Sequence, residues 1–105
     1  MYYWSNRASG PYYAFMAAVH LLIKGRVQGV FYRASAKEMA EQLHLTGWIK
    51  NTKDGEVEAV VNGNENRVLQ FVDWCRQGPA KAQVTDVVVS PATASSFPDF
   101  RIIRY

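Results

Sequence analysis

From His20 onward the chain switches repeatedly between two hydrophobic periods. The order of those switches narrows the fold to very few arrangements. Residues 20–26 are rich in Leu and Ile and read as a strand. Residues 26–32 contain Gly29 and read as a loop. Residues 33–44 carry Ala36, Met39, Ala40 and Leu43 at helical spacing, one apolar stripe on an otherwise polar helix. Residues 46–51 and 56–61 read as two short strands. In the second, Val57, Ala59 and Val61 alternate with Glu56 and Glu58, which gives one buried and one wet face. Lys53-Asp54-Gly55 between them supplies a hairpin turn, with Gly providing the positive φ.

Asn64 is placed to cap a second helix, with Glu65 near its positive end. Val68, Phe71, Val72 and Cys75 form its apolar stripe, and Gly78-Pro79 stops it. Residues 82–89 and 100–103 complete the strands. The order β-α-β-β-α-β, plus one short final strand, predicts an α+β ferredoxin-like split βαβ sandwich. Both helices should cover one face of a mostly antiparallel sheet.

A chain of 105 residues suffices for one domain, and 49% hydrophobic residues suffice for one sizeable core. Only one cysteine is present, so no internal disulfide forms and no cysteine pair has metal-ligand spacing. A reducing, cytoplasmic setting fits this count. The net charge of +3 is unevenly spread. Arg7, Lys24, Arg26, Arg33 and Lys37 all precede the first acidic residue, Glu38. A basic front half favours an anionic ligand, or it is a chance asymmetry on a solvated face. Residues 11–23 could pass for a signal-peptide core, but they run unbroken into the first strand and are too short to span a membrane. Residues 1–16 stand apart. Tyr2, Tyr3, Trp4, Tyr12, Tyr13 and Phe15 sustain no period, and Gly10-Pro11 breaks the run. This segment is expected to be an extension, either an artificial scar or an upstream start, ahead of a domain at 17–105. The alternative is an aromatic arm through which an otherwise monomeric chain associates with itself or a partner.

The segment Gly25-Arg26-Val27-Gln28-Gly29-Val30-Phe31-Tyr32-Arg33 joins a strand to a helix start. Amides at a helix start are unpaired and carry partial positive charge, so such a loop is a natural anion cradle. Gly29 lets the backbone turn sharply towards a ligand. Arg33 adds a planar, permanently charged fork that pairs with two phosphate oxygens. The plainer reading is a βα turn with a surface arginine. Neither Gly-x-x-x-x-Gly-Lys-Ser/Thr nor Gly-x-Gly-x-x-Gly occurs in the chain.

The run Gly25-x-Val27-Gln28-Gly29-Val30-x-Tyr32-Arg33 resembles the phosphate-loop signature of the acylphosphatase family. Gly47-Trp48-Ile49-Lys50-Asn51, followed by Asp54-Gly55-x-Val57-Glu58, resembles that family's second signature, at the expected separation. The resemblance continues through Val61-Asn62-Gly63 and covers about residues 17–105. Tyr32 departs from it, standing where the family commonly has Phe. The resemblance implies a hydrolase of small-molecule acyl phosphates. It implies that Arg33 and the backbone amides of Gln28, Gly29, Val30, Phe31, Tyr32 and Arg33 bind the phosphoryl group. It implies that Asn51 holds the attacking water. No metal, cofactor, nucleic acid or membrane is called for. Taken without the resemblance, Asn51 is simply a turn residue.

Other residues are read as structural. Cys75 lies on an apolar stripe, Trp48 and Trp74 pack, and His20 and His44 have surface or capping roles. Glu56 and Glu58 are expected to be solvated charges. Two other function classes share the fold. One is a non-enzymatic module binding carbamoyl phosphate or another anion within a larger protein. The other is a single-strand RNA binder, but the aromatic strand pattern of that module is missing.

Overall fold

The computed structural model describes residues 16–93 and 96–104. All of the aromatic extension except Met16 therefore lies outside the described residues. The elements are β1 (Met16–Arg26), α1 (Tyr32–Gln42), β2 (Thr46–Asn51), β3 (Val57–Asn64), α2 (Glu65–Gln77), β4 (Gln83–Pro91) and β5 (Phe100–Ile103). The sheet order is β4-β1-β3-β2-β5. Pairings β1–β3, β1–β4 and β2–β3 are antiparallel, and β2–β5 is parallel. This is the split βαβ arrangement read from the sequence, with both helices on one face.

Alternation along the strands sorts the faces. Val19, Leu21 and Ile23 of β1, Ile49 of β2 and Val57, Ala59 and Val61 of β3 are fully buried under the helices. From above, α1 adds Ala36 and Ala40, and α2 adds Val68, Phe71, Val72 and Cys75. Phe71 is tilted against Phe100 of β5 with ring centroids 5.8 Å apart. The opposite sheet face carries the polar half of each alternation. There His20 Nε2 lies 2.7 Å from Glu58 Oε2, Lys50 Nζ 3.6 Å from Glu58 Oε1, and Lys24 Nζ 3.7 Å from Glu56 Oε2. Glu56 and Glu58 are thus ion-paired and half-buried rather than freely solvated. His20 is a cross-strand partner rather than a cap. Trp48 also lies on this face, with Lys50 Nζ 5.5 Å from its ring centroid.

Element ends differ from the sequence expectation where local propensity is weak. β1 begins at Met16, and β3 continues to Asn64, because Ala17, Ala18, Asn62 and Gly63 pair with one another across the two strands. Ladder formation there overrides poor strand formers. α1 ends earlier than 44. His44 adopts φ 55°, its N–H donates to Glu41 O, and the Leu45 N–H donates to Ala40 O. That is the two-bond helix stop usually built on glycine. α2 starts as expected, with Asn64 Oδ1 accepting from the N–H groups of Asn66 and Arg67.

One consequence of the topology positions the site. β1 and β2 both run antiparallel to β3, and β5 runs parallel to β2. The carboxyl ends of β1, β2 and β5 therefore meet at one edge of the sheet.

Candidate active site

The loop leaves β1 through a bulge. The β1–β4 register shifts between Lys24 and Gly25, which bends the strand away from the sheet. Gly25 holds φ 121°, and a Cβ there would collide with the Gln83 carbonyl. Gly29 and Phe31 then take φ 73° and 64°. Left-handed residues at alternate positions turn successive amides towards one concavity. Among the described residues, no backbone N–H from Gln28 to Arg33 is bonded within the protein. α1 opens directly behind, with no side-chain cap and no acidic residue in its first turn. Its positive end is left uncompensated, which is the electrostatic condition for holding an anion.

Arg33 stands in the first turn of α1, half-buried, and makes no ion pair among the described residues. A guanidinium without a carboxylate partner keeps its charge available to a ligand.

Asn51 is the last residue of β2. Its Oδ1 is buried and has no hydrogen-bond partner. Both polar side-chain atoms of Asn62 are likewise buried without a partner, so this feature does not by itself mark Asn51. The turn behind it is firmly held. The Thr52 N–H donates to Glu56 O at 2.9 Å, and Thr52 Oγ1 accepts from the Glu56 N–H at 3.1 Å. Gln28 reaches across from the loop, and its Nε2 donates to Thr52 O at 2.9 Å and to Glu56 O at 2.8 Å. One side chain thus ties the anion loop to the hairpin that carries Asn51.

These elements enclose a cavity of about 360 Å³ lined by Gly29, Phe31, Tyr32, Arg33, Asn51 and Arg104, among others. An adjoining cavity of about 350 Å³ is lined by Arg33, Asn51, Ile103 and Arg104. The structure therefore brings together Arg33 and Asn51, as the sequence reading expects. Gln28 and Val30 do not line the cavity with their side chains. Gln28 is turned to the hairpin, and Val30 is buried in the core. Arg104 was not anticipated. It follows β5, whose parallel pairing with β2 delivers it beside Asn51. The only local signal was a basic residue after a short apolar strand, which does not announce a site. Among the described residues no group of three or more His, Cys, Asp or Glu converges as metal ligands would.

Tyr32 lines the cavity at one edge while its body is buried. Its hydroxyl donates to the Cys75 carbonyl at 2.6 Å, and its ring lies 5.5 Å from that of Trp74. That carbonyl is near the end of α2, where no helical N–H is left to reach it. The hydroxyl that departs from the family pattern thus joins α1 to α2. Burial pushes the Tyr32 phenol well above its usual range and the Cys75 thiol up to about 12. A thiol so placed stays protonated at neutral pH and is no nucleophile. Lys37 donates to Phe100 O at 2.8 Å and so fastens α1 to β5.

The acylphosphatase family model matches residues 19–102, which leaves the aromatic segment outside it. A Methylococcus capsulatus protein named acylphosphatase is 47% identical over 90 residues, covering 85% of this chain and 98% of that one. The acylphosphatase structure from Coxiella burnetii superposes with a TM-score of 0.81 at 36% identity, over 84% of this chain and 93% of that one. That from Bacillus subtilis gives 0.81 at 32% identity, over 85% and 99%. With the two signatures, the sheet order and these likenesses in agreement, the chain belongs to the acylphosphatase family.

Proposed function

We propose that this chain hydrolyses the carboxyl–phosphate bond of acyl phosphates by in-line attack of water at phosphorus. The observation that carries the reading is a convergence. Arg33, the loop with its unbonded amides and Asn51 line one cavity. Arg33 and the amides of Gln28 to Arg33 hold the phosphoryl oxygens. Asn51 holds the water through its side-chain amide and aims the water's oxygen at phosphorus. The new bond forms between water oxygen and phosphorus. The bond to the acyl oxygen breaks, and its electron pair leaves with the carboxylate.

Phosphoryl transfer of this kind depends mainly on positioning and on charge stabilisation of the equatorial oxygens. Fixed amide dipoles and a guanidinium supply both without reorganising during the reaction. Arg104, exposed at the cavity rim, adds a second positive charge facing the same anion. A carboxylate is a good leaving group, so strong acid assistance is not required. Asn51 is too weak a base to take the water's proton, which passes to a phosphoryl oxygen of the substrate. A pH–rate profile demanding an enzyme base of near-neutral pKa would contradict that step.

The working unit is residues 17–105, and its ligand is a small acyl phosphate. The lone buried thiol fits a reducing, cytoplasmic setting. Among the described residues no helix is long and apolar enough to cross a membrane. The decisive experiment is hydrolysis of benzoyl phosphate in excess chelator. Turnover that persists supports the reading, and none at all refutes it.

A further inference from the structure

Position 31 must be left-handed for the loop to enter α1, since it is the N-cap and holds φ 64°. Glycine takes that conformation freely, and Asn or Asp take it with little strain. The chain instead carries Phe, which makes no cap bond. Phe31 is 73% exposed, the most exposed large hydrophobic residue among the described residues. It takes no part in the buried core cluster. Met16 and Val88, also exposed, lie on strands and bear no such backbone strain. Backbone and solvation thus both disfavour Phe at this position, and no packing among the described residues offsets them. Strain retained without a structural reason points to a ligand.

What the ring does have is a place in the wall of the cavity that holds Arg33 and Asn51. In-line displacement sends the leaving carboxylate to the side of phosphorus away from the attacking water. Asn51 comes from the sheet and Phe31 from the loop. The two residues belong to different walls of one cavity, so an acyl group leaving away from the water has the ring within reach. The cavity, at about 360 Å³, exceeds what one phosphoryl group and one water fill, since a water's share of liquid volume is about 30 Å³. Resting on the acyl phosphate reading, we infer that the Phe31 ring is the platform for the substrate's acyl group. It gives the enzyme a preference for planar, apolar acyl groups over small ones.

The test is a ratio, kcat/KM for benzoyl phosphate divided by kcat/KM for acetyl phosphate. It is measured for the wild type, Phe31→Gly, Phe31→Leu and Phe31→Trp. Gly satisfies the left-handed backbone, and Leu keeps an apolar side chain should Gly loosen the loop. Stacking energies of aromatic pairs predict that the ratio falls about 2- to 10-fold in Phe31→Gly and Phe31→Leu. The loss should lie mainly in KM, and Phe31→Trp should hold the ratio or raise it. A ratio that stays put in both Gly and Leu variants, or rises in them, overturns the inference. The two readings fail separately. A wild type that hydrolyses neither compound sinks the acyl phosphate assignment, whereas an active wild type with an unmoved ratio sinks only the platform.

Discussion

The loop wall of the cleft, residues 25–33, and the strand-end wall, Asn51 with Arg104, face the same space but are assembled differently. The loop wall is local. Nine consecutive residues provide the bulge, the left-handed turns, the free amides and the guanidinium. The strand-end wall exists only because β2 and β5 pair in parallel and place their ends side by side. The loop wall offers positive potential to an anion whether it is substrate, transition state or product. Asn51 offers a neutral side-chain amide, which adds no charge but can orient a water. Holding the phosphoryl group and delivering water are thereby given to separate parts of the chain.

That division makes graded predictions. Arg33→Ala removes a charge that acts in both ground and transition states, so kcat/KM should fall by about 10³-fold or more and inhibition by inorganic phosphate should weaken in parallel. Asn51→Ala should lower kcat by at least about 10²-fold, as for loss of one preorganised donor or acceptor at a reacting group. Its phosphate inhibition should stay near the wild-type value. Equal damage to phosphate binding in both variants, read from inhibition constants, would erase the distinction between the walls.

Gln28→Leu cuts the link between them. It removes one of the two donors at each of the Thr52 and Glu56 carbonyls and leaves Asn51 less firmly held. We expect about a 10-fold loss in kcat, since small misplacements of a positioning group are costly. A stability loss of about 1–2 kcal/mol should accompany it in urea unfolding. The smallest effect concerns the far side of the loop wall. Tyr32→Phe should cost about 1 kcal/mol, the worth of one hydrogen bond, with turnover nearly unchanged. Tyr32 and Cys75 both hold their protons more tightly folded than unfolded, from ordinary values of 10.0 and 9.0. Stability from this pair is therefore complete below about pH 9 and is lost as pH rises towards 12. Tyr32→Phe should flatten the decline above about pH 10, measured as melting temperature against pH.

The same contrast decides what could be read from the sequence. The loop wall was legible because its determinants are neighbours, as Gly29 and Arg33 show. The helix stripes and the β2–β3 hairpin were legible for the same reason. Asn51 was recognisable by family resemblance alone, since locally it is one more turn residue. Arg104 was invisible, because its place depends on a parallel pairing between distant strands. Gln28 was assigned for its amide, and only the folded hairpin discloses the work of its side chain. Misplaced ends, at Met16 and at Gln42, fall where pairing or a left-handed histidine overrules propensity.

The free amides from Gln28 to Arg33 belong to the main chain, and this bears on how the site withstands mutation. Replacing the exposed Phe31 side chain changes the contour of the rim but not the number of N–H groups that meet the anion. Proline alone deletes one. A residue that tolerates the left-handed backbone at position 31 can therefore replace Phe with the anion grip left standing underneath.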